Sequence, residues 1–397
     1  MRTSRYFMLS TSRAVPLHCT MKQDAFCYNR NAMRKEELYE KGEELRAASC
    51  FREAVLAFQK ALEVTPSGDG AFRLLVLKRL GDCLRMVGAF DEAKRAYTEA
   101  LHLAQSVQDD LEVADCLAGL GLAQRGLGEL EEARKNLEKA REIYEEYDDP
   151  EGEAFVLWAL GGLWRAAGEL KRAREHFTEA LFLFEQLEDP SGIGYCHCGL
   201  GGLERVAGNF EESLVHYGTA NAIFQEMGDR FGQAYSFCGI GNAHRMMEHF
   251  SDALEYFRRA EELYRDIGDE VSYAWTLWSF GTALKVLQDW EGAEGKLQEA
   301  RELFTKTRDT RGMVYHLLAL SEIRVFEGRR EEACSLLEEA ERLLMGKPFQ
   351  LERIHLELYR WLILGGDGAV LEDIRRSYRK LGANFLPISP KLPLNLP

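Results

Sequence analysis

Glycine returns every forty residues along the middle of this chain. Gly81, Gly121, Gly161, Gly201, Gly241 and Gly281 form one column, continued by Ser321. An apolar residue precedes each (Leu80, Leu120, Leu160, Leu200, Ile240, Phe280, Leu320), and a small one follows twelve later (Ala93, Ala133, Ala173, Ser213, Ala253, Ala293, Ala333). Four residues further on stand Tyr97, Leu137, Phe177, Tyr217, Phe257, Leu297 and Leu337, then Ala100, Ala140, Ala180, Ala220, Ala260, Ala300 and Ala340. Spacings of three, four and seven put these residues on one face of a helix. A fixed period constrains the fold more than the length of 397 residues does. A single unit cannot bury its apolar face alone, so the units must stack into one elongated body rather than separate into two or three domains.

The punctuation between the apolar columns makes each unit two helices joined by a turn. Gly88, Gly128, Gly168, Gly208 and Gly328 fall where the first helix must stop, the usual place for a left-handed cap. Asp109, Asp149, Asp189, Asp229, Asp269 and Asp309 fall where the next pair begins, with Pro150 and Pro190 following two of them, which is a helix start. An earlier unit is marked by Gly42, Ala54, Phe58 and Ala61, one residue out of phase. Residues 33–346 thus read as about eight antiparallel helix pairs. LERIHLELYRWLIL and VLEDIRRSYRKL, within 347–383, read as capping helices, and the Pro-rich residues 384–397 as an extended tail.

The columns L-G, then A, then Y/F, then A resemble the tetratricopeptide repeat family over about residues 35 to 345. The forty-residue period is similar to the longer variant in the Leu-Gly-Asn spindle-orientation adaptors and in kinesin light chains. The resemblance implies an all-α, right-handed solenoid whose first helices line a concave surface. It also implies that positions six before, three before, one after and four after the glycine point into that surface.

At four after stand Arg85, Arg125, Arg165, Arg205 and Arg245, continued by Lys285. At six before stand Phe155, Tyr195, Tyr235, Trp275 and Tyr315, and three before adds Trp158, Cys198, Cys238 and Trp278. One after come Gly162, Gly202, Asn242 and Thr282, a low floor between an aromatic and a cationic flank, with His244 a further hydrogen-bonding group near the middle. Two readings of the cations stand side by side. Positive charge is favourable in the last turn of a helix, and Arg125/Glu129, Arg165/Glu169 and Lys285/Asp289 are four apart. Alternatively, the repeated cost of stacking like charges calls for an anionic partner. The aromatics likewise either fill space between units or line the groove.

Composition narrows the class. With 46% hydrophobic and 29% charged residues, and no apolar run near eighteen, the chain reads as soluble and cytoplasmic, without membrane contact. A net charge of −15 argues against nucleic acid. The nine cysteines show no C-x-x-C pair, and Cys196-His197-Cys198 reads as buried thiols rather than a metal site. Residues 1–32 carry five basic residues against Asp24 and read as a flexible or spurious extension ahead of Met33, with organellar targeting as the alternative. Phosphate-loop look-alikes such as GLGLAQRGLG lie inside helices and follow no strand.

The expectation is therefore a non-catalytic adaptor, without cofactor or metal. Its groove takes a peptide or partner segment that is acidic or ends in a carboxylate. A ligand-responsive regulator is the alternative, and an enzyme the third reading. The tail is expected to lie loose, or to act as a latch on its own solenoid or as a contact in a homodimer.

Overall fold

Each helix pair is built by the same local chemistry. The computed structural model describes residues 34–397. Asp109, Asp149, Asp189, Asp229, Asp269 and Asp309 each accept a hydrogen bond from the first turn of the helix that follows, as Asp69 does for an earlier one. The turn glycines 88, 128, 168, 208 and 328 all have left-handed backbones. In the same column Glu248 and Gln288 adopt that conformation without being glycine.

Among the described residues the helices form eight pairs, from Lys35–Ala47 with Phe51–Val64 to Thr310–Phe326 with Arg330–Leu344. Gln350–Arg360 follows, then a single π-helical turn at Trp361–Gly365 and a last helix at Gly368–Leu381. Within a pair, the column glycine lets a ring from the second helix lie on the backbone of the first. A Cβ on Gly201 would come within 2.8 Å of the Tyr217 ring. First helices of adjacent pairs touch along the stack from Gly70–Met86 onward, whereas second helices lie farther apart. That difference curves the body and puts the first helices on its inner side.

The curve returns on itself. Arg308 pairs with Asp91 at 2.7 Å across 217 residues of sequence, and Arg52 with Glu270 across 218, so the coil closes after about five and a half repeats. The turns stack in order on the next coil. Gly88 faces Thr307 and Val271, Gly128 faces Phe349, Gly168 faces Gln350 and Leu381, and Gly208 faces Asn384 and Phe385. The terminal helices therefore do more than cover an open end; they complete the second coil.

Residues 383–397 form no helix, and Leu394 and Leu396 are buried. The expected extension at 1–32 lies outside the described residues. No helix among those described is long and apolar enough to cross a membrane.

Candidate functional site

The inner side of the coil holds two adjoining cavities of about 230 and 400 Å³, which share Arg85, Arg125, Arg165 and Tyr235. Arg205 lines the larger one. One geometric relation places the cations. Each guanidinium lies over the floor residue of the next repeat, so that a Cβ on Gly162 would strike Arg125 and one on Gly202 would strike Arg165. The same side chains meet the next repeat's aromatic flank: Arg125 lies 5.9 Å from the Trp158 ring and Arg245 5.9 Å from Trp278.

The column does not present six equivalent charges. Arg85 has Asp82 at 3.6 Å and donates to the Tyr97 hydroxyl at 3.3 Å. Lys285 is buried and paired with buried Glu322, which occupies the floor position that Gly162 and Gly202 hold in earlier repeats. Arg245 is fully buried and donates to Asn242, Asn395 and the Leu396 carbonyl. Lys285 and Arg245 are thus not available in the expected cationic flank, one because of a floor carboxylate and the other because the chain's own tail covers it. None of the three four-apart pairs forms: Glu129 pairs with Lys94 at 2.6 Å and Asp289 caps its helix by accepting from Gly292 N.

Arg125, Arg165 and Arg205 remain, half-buried and without a carboxylate partner among the described residues. The nearest thing to one is the Ala159 carbonyl, 3.5 Å from Arg125, and the Arg205 Nε is buried without a hydrogen-bond partner. Burial, then Arg165 and Arg85, pull the Arg125 pKa down to about 10. Burial, then Arg205, pull that of Arg245 to about 9. A guanidinium stays protonated at neutral pH even so, and the downward direction marks positive charge that lacks compensation.

The aromatic flank serves packing and lining together. Phe155, Tyr195, Trp278 and Tyr315 are mostly buried, while Trp158, Tyr235 and Trp275 are half-buried, and all seven line the cavities. Their rings meet edge to face, with Trp158 to Tyr195 at 6.3 Å, Trp275 to Tyr315 at 5.4 Å and Trp278 to Tyr315 at 5.0 Å. Two polar ends are satisfied by the cap column, Tyr195 donating to Asp229 at 3.0 Å and Trp275 to Asp309 at 2.9 Å, whereas the buried Trp278 Nε1 has no hydrogen-bond partner. Asn242 bridges Ser279 at 3.1 Å and Arg245 at 2.9 Å, so it fixes the wall.

His244 is not in the channel. It stacks on Tyr256 in the following helix, at 5.6 Å and 9°, beside His249. The ligand atoms of His244, His249 and Asp252 lie within 4.8 Å of one another, a set that sequence reading missed because the three residues straddle a turn. Cys196 and Cys198 are free and buried, and burial holds both thiols well above their usual range, which suits core residues and not metal ligands.

Glu322, Glu352, Leu394 and Leu396 were also missed. Glu322 was legible, since it continues the floor column of Gly162, Gly202, Asn242 and Thr282. Glu352 takes up Arg311 at 2.5 Å, an inter-repeat pair with no counterpart in the columns.

The tetratricopeptide repeat family model matches residues 110–186 and 196–266. Those residues carry tetratricopeptide repeats, and the described residues fold as an all-α solenoid. The chain's fold is similar to that of a Rap protein complexed with Competence and Sporulation Factor, with a TM-score of 0.57 at 15% identity, covering 87% of this chain and 99% of that one. It is similar too to the Rap conjugation gene regulator of plasmid pLS20 in complex with the Phr* peptide, at 0.55 and 14%, over 73% and 81%. For Cut9–Hcn1, an APC/C hetero-tetramer, the values are 0.56 and 18%, over 83% and 57%. At these identities the likeness is one of fold. No curated protein matches the sequence.

Proposed function

We propose that this protein is an interaction scaffold whose inner channel takes an extended, acidic peptide or partner segment. The observation that carries the reading is the set of three guanidinium groups, Arg125, Arg165 and Arg205, facing one aromatic-lined cavity without a carboxylate of their own. Like charges held close and half out of water are costly, and a ligand that brings carboxylates offsets that cost while forming charge-assisted hydrogen bonds. Gly162 and Gly202 leave room for the guanidiniums to lie flat, so the floor stays open to a backbone rather than to bulky side chains. Two solved structures of like fold, bound to Competence and Sporulation Factor and to the Phr* peptide, support a peptide as the kind of ligand.

Replacing Arg125, Arg165 and Arg205 together by Gln shortens the side chains but keeps them polar and removes the charge. Binding of acidic peptides from a display library should fall about a thousandfold, since three charge-assisted contacts at roughly 1.5 kcal/mol each are lost. Helicity by circular dichroism should not change. Equal binding by parent and variant would reject the acidic ligand.

Closure of the coil favours the ligand-responsive reading as a second one. A ligand seated inside strains or relieves the contacts between Gly88 and Thr307 and between Arg308 and Asp91, which alters the outer surface without a separate output domain.

A further inference from the structure

The last residues of the chain sit where a ligand would. Lys285 Nζ donates to the Leu394 carbonyl at 3.0 Å, and Arg245 Nη2 donates to the Leu396 carbonyl at 2.9 Å. The Leu394 amide donates to Glu322 at 2.9 Å. Asn395 faces Arg245, accepting from its guanidinium and donating to its carbonyl at 2.8 Å. Leu394 and Leu396, two residues apart, are each only 4% exposed. Pro397 lines the same cavity as Arg125, Arg165 and Arg205.

Arg245 and Lys285 belong to the column that faces the channel, so the segment bound to them occupies a ligand position rather than a gap between helices. We infer that Arg245, Lys285 and Glu322 form a subsite for an extended Leu-x-Leu strand, which residues 392–397 fill as an internal ligand and which a partner segment with that spacing takes over by displacing them. This rests on the reading of the channel as a peptide site and specifies one end of it.

Three features separate an exchangeable occupant from a fixed strap. First, recognition is of the backbone plus two apolar side chains, which another chain can reproduce. Second, the occupant is tethered by its own anchors. Asn384 donates to the Ala207 carbonyl at 2.9 Å and Arg375 to the Pro387 carbonyl at 2.6 Å, while Ile388 beyond them is 89% exposed. Residues 392–397 can therefore leave without any helix unwinding.

Third, simple departure is disfavoured. It would expose Leu394, Leu396 and the apolar wall they cover and strip Lys285 and Glu322 of the carbonyl and amide they bond, a cost that a replacement strand of the same spacing removes. The subsite thus exchanges occupants rather than opening, and it selects partners that offer both the carbonyl acceptors and the amide donor.

The test uses the full chain labelled with nitrogen-15 and a synthetic peptide of the sequence of residues 388–397, ISPKLPLNLP. Exchange at the Leu394 amide should be slow in the protein alone and rise at least about tenfold in excess peptide, as competition shifts the bound population. A peptide with both corresponding leucines changed to Ala should leave it slow. In the full chain carrying Leu394→Asp and Leu396→Asp, the fluorescent parent peptide should bind at least about tenfold tighter than to the unchanged chain, because the internal competitor is gone. A Leu394 amide that stays protected, with no binding of the parent peptide to either protein, would overturn the inference, as would loss of helicity in the double variant. The Arg125, Arg165, Arg205 triple Gln variant keeps this subsite. Loss of acidic-peptide binding with retained tail exchange, or the reverse, therefore tells the two proposals apart.

Discussion

The cation at one repeated position has different fates here, set by what the folded chain brings against it. Over glycine, as at Arg125 and Arg165, it stays open to the channel, whereas over Glu322 the equivalent Lys285 is neutralised, and Arg245 is claimed by the tail. Aspartate varies in the same way. All the caps are alike in sequence, yet burial first, with a smaller push from Glu270 and against the hydrogen bonds from Ser272 and Val271, raises the Asp269 carboxyl to about 6. Its folded pKa lies above the unfolded value of about 3.9, so the folded state holds the proton more tightly. The stabilisation is complete below about pH 4 and is lost as the pH rises through about 6. Asp269→Asn keeps a good cap without the charge. Urea unfolding should show parent and variant equal near pH 4, and the variant more stable by about 1 to 2 kcal/mol at pH 7. A gap that does not grow with pH would contradict the assignment of burial as the cause. The capping role was legible from Asp followed by Pro150 or Pro190; the degree of burial was not, because it depends on the neighbouring pair.

At the scale of the helix pair, the turn column carries two demands that the sequence superimposes. Gly208 has a φ of 100°, and a Cβ there would come within 3.0 Å of the Phe385 amide nitrogen on the next coil. Gly328 has a φ of 79° and open space around it. Gly328→Ala should cost only the left-handed backbone penalty, about 1 kcal/mol, and Gly208→Ala about 2 kcal/mol or more, since backbone must also shift. Denaturant midpoints measure the difference, and equal losses would remove the coil-to-coil contact as a reason for Gly208. Reading the column as helix caps accounts for the φ at all these sites. It does not account for why Glu248 and Gln288 suffice at two of them, nor does it separate Arg245, held by Asn242 and covered by the tail, from Arg205.

For the whole molecule, closure of the coil turns a groove into a channel, and its latch is local. Glu270 is 4% exposed and is held by Arg52 from one coil and Lys306 from the other. Glu270→Lys gathers three cations at a buried point. It should cost about 2 to 4 kcal/mol in thermal or denaturant stability and raise the radius of gyration in small-angle scattering as the coils part. An unchanged radius would show that the stacked turns alone hold the coil shut. The sequence by itself determined the repeating pair, its caps and the columns of arginine and aromatic residues, because each depends on spacings of a few residues or one fixed period. Only the tertiary structure decided that Arg52 meets Glu270, that Arg125, Arg165 and Arg205 are the cations left open, and that Leu394 and Leu396 lie among them. Those contacts join segments some 70 to 220 residues apart through the accumulated curvature of the stack, and a small rotation per repeat, summed over the coil, leaves no mark at any single position.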